Sequence, residues 1–335
     1  MTTPGNSGPG SVGRRDFFKR TAAAGAALAL GAGTDHAAEK TVEGLPTRVL
    51  GRTKQRVTVL GLGTAPIGEG PVEAQAAAKI FGEVLDRGVN YVDTAYIYGN
   101  AEEALGLILP KRRDKLFLVT KVWTDNAKRA EEMLTTSLKR LKTDHVDLVH
   151  IHHVGGKKID RVLSDDGVLA YLLKQKEKGV LRFIGLSGHC RPPRFVEVIQ
   201  TGHVDVVMPV MNYADVNTYN FENSVLPECR KRNVGVVAMK VYVGITGGFR
   251  NHKKGYVGCV TPKEKLPLAM AYALDLPGVS SAIIGPYTMA QALENVELAK
   301  RYKPLTAAQR QALLAEGKQI AAKINDPRPR YGPVA

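Results

Sequence analysis

Eight short apolar runs, separated by longer stretches of helical periodicity, restrict the folds open to this chain more than any other feature. They fall at residues 57–61, 89–93, 116–121, 146–152, 183–187, 206–210, 235–239 and 281–284. Each is near-continuously apolar rather than alternating, as strands covered on both faces must be, and a polar or glycine-bearing turn follows each. The intervening stretch 72–87 puts Ile80, Val84 and Leu85 on one helical face and stops at Gly88; residues 131–141 and 167–178 have the same character. Repeated strand–helix units call for a parallel sheet, and eight of them favour a closed (β/α)8 TIM barrel over an open, doubly wound sheet. Gly61, Gly63 and Gly68 also lack the Gly-x-Gly-x-x-Gly spacing of an open dinucleotide-binding sheet. Residues 48–58, with Gly51 in a turn, predict an N-terminal β-hairpin closing the amino end of the barrel, and 306–323 an additional C-terminal helix. The expected barrel domain is 47–325.

Residues 1–40 do not read as part of that domain. Arg14 and Arg15 precede Asp16, Phe17, Phe18 and Lys19, and residues 21–33 are small, apolar and uncharged. This resembles a twin-arginine (Tat) signal peptide, which implies a transient encounter with the Tat translocase and export of a folded protein to a bacterial periplasm. The alternative is a disordered basic tail, because no clean Ala-x-Ala surrounds Ala37 and Ala38. The apolar run is short of the ~20 residues that a membrane span needs, and no other segment is apolar enough for a stable one.

The formal net charge is +15. Its basic clusters, such as Lys111 to Arg113, Lys157 with Lys158 and Lys253 with Lys254, are scattered and lack interleaved aromatic residues, which argues against nucleic acid. Cys190, Cys229 and Cys259 are an odd number without Cys-x-x-Cys spacing, against a disulfide framework or a cysteine zinc site.

Barrel chemistry is built from the carboxyl ends of the strands. There the sequence places Asp93, then Tyr98 in the following loop, Lys121 and His152. A lysine closing an apolar strand needs a carboxylate if it is to be buried, and Asp93 can supply it. The segment NYVDTAYIYGNAEEALG around Asp93 and Tyr98, LFLVTKV ending near Lys121 and DLVHIHH containing His152 resemble the aldo-keto reductase family over residues 47–295. The resemblance implies an oxidoreductase that reduces a small-molecule carbonyl, an aldehyde or ketone, with NADP(H), NAD(H) being the other possible cofactor. Tyr98 would donate the proton, Lys121 would lower a phenol pKa that is ordinarily ~10, Asp93 would hold Lys121, and His152 would align the carbonyl. No metal is implied.

Carried over by the same resemblance, the cofactor contacts are Gly63, Thr64, Ser187, Gly188, Asn212, Met239, Lys240, Gly285, Gln291, Glu294 and Asn295. The sequence departs from the family at Gly188, where an asparagine is usual, at Met208, where a glutamine is, at Met239 and Lys240, where many members place a stacking tyrosine, and at Gln291, where an arginine often grips the 2′-phosphate. Two other readings stay open here. His150 and His152 share a strand side and, with His189, could be a metal-dependent hydrolase site; alternatively, the barrel could bind nucleotide and sense redox state without turnover. Residues 154–166 and 242–262, the latter with Phe249, His252 and Tyr256, are the expected pocket walls. Substrate, reaction direction and oligomeric state are not readable.

Overall fold

The computed structural model describes residues 40–246, 249–255 and 258–323, so the twin-arginine leader up to residue 39 lies outside the described residues, as does Tyr256. A three-stranded antiparallel sheet comes first: β1 (Thr41–Val42), β2 (Leu45–Val49) and β3 (Arg56–Thr58). Eight parallel strands then close into a barrel: β4 (Leu60–Gly63), β5 (Tyr91–Asp93), β6 (Phe117–Val122), β7 (Val146–Ile151), β8 (Leu181–Gly188), β9 (Val206–Pro209), β10 (Gly235–Met239) and β11 (Val279–Ile284). Their order follows the chain, and β11 pairs with β4 to complete the ring.

Seven barrel strands match the expected runs to within a few residues. The first differs: 57–61 divides between β3, which pairs antiparallel with β2, and β4, which begins the barrel. Periodicity cannot see this change of sheet, because the run is apolar on both sides of it. Asn90 marks it instead, its side-chain oxygen accepting from the Thr58 amide at 2.8 Å.

Side chains two apart on a strand share a face, so Tyr91 lies beneath Asp93, and Phe117 beneath Lys121. Tyr91, Phe117 and Phe183 stack with ring centroids 5.4 and 6.0 Å apart, filling the barrel below the charged residues. The hairpin covers the amino-terminal strand ends, as the sequence predicts. The Arg48 guanidinium donates to the carbonyls of Leu274 and Val279, the Ser280 hydroxyl to that of Val49 at 2.9 Å, and the Arg52 amide to that of Asn233 at 2.6 Å. The last helix, Ala307–Ala322, starts with a reciprocal cap between Thr306 and Gln309. Among the described residues no helix is long and apolar enough to cross a membrane.

Leu50, wholly buried in the hairpin, packs against Gly235 at the start of β10. Replacing it with alanine is expected to cost about 2–5 kcal/mol, read as an earlier urea midpoint with an unchanged slope. A loss below about 0.5 kcal/mol, as at a surface site, would mean that the hairpin does not secure the barrel floor.

Candidate active site

A cavity of about 580 Å³ opens at the carboxyl ends of the barrel strands. Asp93 closes β5 and Lys121 lies near the end of β6; both strands are buried throughout, so neither charge reaches bulk water. The Lys121 ammonium donates to Asp93 Oδ2 at 2.7 Å and to the Thr94 carbonyl at 2.8 Å. It also sits 4.5 Å from the centre of the Tyr98 ring. His152 follows β7 directly, with its imidazole edge-on to Tyr98 at 5.7 Å between centroids. The four residues expected from the sequence therefore meet at one end of the cavity.

The loop bearing Tyr98 is anchored from both sides. Gly99 has φ +52, and a Cβ there would stand 2.0 Å from the Gly68 carbonyl oxygen, so only glycine lets these segments meet. On the other side Arg140 donates to the Tyr96 carbonyl at 3.0 Å and is paired with Glu103 at 2.9 Å. Buried Glu102 accepts from the Thr120 hydroxyl on β6 at 2.7 Å, which ties this loop's helix to the strand that carries Lys121.

The electrostatics depart from the expectation at Tyr98. Burial, then the negative charges of Asp93 and Glu69, hold its phenol well above the ordinary value, whereas the sequence reading has Lys121 lowering it. The reason is that removing the phenol from water outweighs the ammonium, whose field Asp93, 2.7 Å from it, opposes. Burial and the nearby Lys121 charge push the His152 pKa far down, so its imidazole is neutral. Burial likewise lowers Lys121 and raises Asp93, and their contact opposes both shifts.

The cofactor positions divide into two groups. Gly63, Met239, Lys240 and Gly285 line the cavity, and Ser187 keeps a buried hydroxyl with no hydrogen-bond partner among the described residues. Burial lowers the pKa of Lys240 to about 8. Gly188 ends β8 against the Phe195 ring. The other side chains are engaged with the protein itself. Thr64 donates to the Asp93 carbonyl at 3.0 Å, and Asn212 to that of Lys240 at 3.0 Å. Gln291 accepts from the Tyr287 amide at 2.9 Å, Asn295 from the Tyr242 hydroxyl at 3.0 Å, and Glu294 lies 3.4 Å from Lys263. Both expected wall segments contribute: Gly156 and Lys157 from the first, Tyr242 and Cys259 from the second. Glu69, Trp123 and Tyr287 also line the cavity, although no motif marks them.

His150 is wholly buried in β7, and burial with the Lys121 charge keeps it neutral. Among the described residues no group of three or more His, Cys, Asp or Glu is placed to hold a metal ion, so the His150, His152 and His189 arrangement does not converge.

A family model described as the aldo/keto reductase family matches residues 59–256, more than half of the chain. The chain belongs to the aldo/keto reductase family. This aldo-keto reductase is 28% identical over 279 residues to an L-galactose dehydrogenase of Arabidopsis thaliana, covering 74% of this chain and 86% of that one. It is 30% identical over 301 residues to an uncharacterized oxidoreductase, YrpG, of Bacillus subtilis, covering 74% and 89%. Among solved structures it resembles the holo form of an aldo-keto reductase from Bacillus halodurans with a TM-score of 0.66 and 26% identity, over 81% and 96% of the two chains. The chain is thus an oxidoreductase of a carbonyl-reducing family on a (β/α)8 barrel.

The buried pair yields a test. Lys121→Met strands Asp93 and is expected to cost about 3–5 kcal/mol at neutral pH, with Asp93→Asn added to the same protein recovering part of the loss. An acid whose folded-state pKa is raised loses stability as pH climbs, so Lys121→Met should weaken as pH rises above the ordinary carboxylate range in denaturant titrations, more steeply than wild type. Equal slopes would show that Asp93 does not depend on Lys121 for its charge.

Proposed function

We propose that this chain reduces an aldehyde or ketone to the alcohol with NADP(H), Tyr98 supplying the proton. The observation that carries the reading is the convergence of Tyr98, the Lys121–Asp93 pair and neutral His152 on one cavity. A nicotinamide fits the residues present: Ser187 has a buried, unpartnered hydroxyl suited to an amide, and Gly63 and Gly285 leave the wall between β4 and β11 without side chains. The Met239 thioether can pack against a ring, and the Lys240 cation suits an anionic nucleotide. The overall basic charge supports NADP(H) over NAD(H).

When bound, the nicotinamide supplies hydride to the carbonyl carbon. The protein's part is to deliver a proton to the oxygen as negative charge grows there. A phenol held high stays protonated at neutral pH, which is the state a proton donor needs. As Tyr98 releases its proton, the ammonium 4.5 Å from its ring stabilises the phenolate left behind. Asp93 keeps that ammonium charged and fixed. His152, neutral, directs a ring N–H to the carbonyl oxygen, and the Trp123 ring edge-on at 4.8 Å limits its rotation.

Trp123 is the sole tryptophan and lines the cavity, so its emission reports occupancy directly. Titration with NADPH and NADH is expected to quench Trp123, NADPH at lower concentration. Tyr98→Phe should keep this binding while losing on the order of 10²–10⁴ in turnover of a test aldehyde. Quenching by neither nucleotide would end the reading, and full turnover by Tyr98→Phe would remove Tyr98 from its role.

We propose in addition that residues 1–40 export the folded protein through the Tat route, on the strength of Arg14 and Arg15 before an uncharged small-residue run. Replacing both arginines by lysine should leave the protein in the cytoplasmic fraction of a Tat-competent host. Unchanged distribution between fractions would discard the signal.

A further inference from the structure

Among the described residues five charged side chains line the cavity, and four are accounted for by neighbours. Asp93 is bound to Lys121, Glu69 lies 3.6 Å from Lys253, and Lys240 feels the charge of Glu69. The fifth, Lys157, makes no ion pair among the described residues. Its ammonium rests 4.8 Å from the centre of the Trp123 ring, and that same indole meets His152 at 4.8 Å. One indole therefore separates this cation from the imidazole that addresses the carbonyl.

The lysine's placement is built rather than incidental. Arg194 donates to the carbonyls of both Gly155 and Lys157 at 2.7 Å, and the Lys157 amide donates back to Val154 at 3.0 Å. Gly155 lies so close to Cys190 that a Cβ would stand 2.0 Å from its carbonyl oxygen. The indole under the ammonium is itself stacked on His153 at 5.2 Å. Burial already draws the Lys157 pKa down, with Asp125 opposing it from a distance. His152, His153 and His189 beside it are held neutral by burial, so none of them competes for an anion. A partly desolvated cation without an anionic partner among the described residues, beside the reacting position, is stabilised most by a ligand that brings its own negative charge.

We propose that Lys157 is a specificity-determining residue, selecting carbonyl substrates that carry an anionic group, carboxylate or phosphate. The proposal rests on the reductase reading for the word substrate, but its binding test does not. Two matched pairs of probes are used on the whole protein: 4-oxopentanoate against its methyl ester, and dihydroxyacetone phosphate against dihydroxyacetone. Binding is followed by Trp123 emission and turnover by NADPH consumption.

Wild-type protein should bind one or both anions about tenfold or more tightly than the neutral counterpart, the size of one well-placed charged contact. Lys157→Gln should erase most of that ratio, Lys157→Glu should invert it, and Lys157→Arg should retain it. Whichever pair shows the larger ratio identifies the anion. Equal binding within both pairs, or a ratio that Lys157→Gln leaves intact, overturns the proposal whatever the turnover. Anion-selective binding that depends on Lys157, with no probe reduced, would uphold the anion site and fault the reductase reading instead.

Discussion

The buried contact between Lys121 and Asp93 is the constraint around which the rest of the site is arranged. Two charges removed from water cost several kcal/mol each, and they are tolerated only in near-ideal geometry with further hydrogen bonds. Here the ammonium has two acceptors below 3 Å and a phenol ring on a third side. Neighbouring strands β5 and β6 set the pair, because Asp93 registers opposite Val119 and Lys121 lies two residues further along the same face. The aromatic stack below gives the pair a dry floor, and the cavity gives it one open direction.

That open direction holds the groups that answer to it. Tyr98 is held in place by a loop with glycine at its tightest approach and an arginine on its flank, while His152 is held by the indole of Trp123. Burial, with the Asp93 charge acting on the phenol and the Lys121 charge on the imidazole, leaves the first protonated and the second neutral. Both are donors in those states. Lys157, in no ion pair among the described residues, stands out electrically in this cavity.

Much of the fold and the centre of the site were legible in the chain. Strands buried on both faces are apolar throughout, so seven of the eight appear where the runs are, and a polar residue ending such a run declares itself as Asp93, Lys121 and His152 do. The missed boundary at β3 and β4 has the opposite cause: one apolar run serves two sheets, and only pairing partners divide it. Among the cofactor positions, Asn212 and Asn295 carry the residue types that the resemblance calls for, yet their side chains bind local backbone or Tyr242. Residue type cannot say which way an amide is spent.

Local pattern by itself determined the eight strand–helix units, the closing hairpin, the terminal helix and the polar strand ends, because each depends on residues close together in the chain. Tertiary structure alone decided that Glu69, Trp123 and Tyr287 join Lys157 in one cavity, since they come from separate loops and no spacing links them. It also decided the charge states. Burial and distance between groups set them, and both exist only once the barrel has closed.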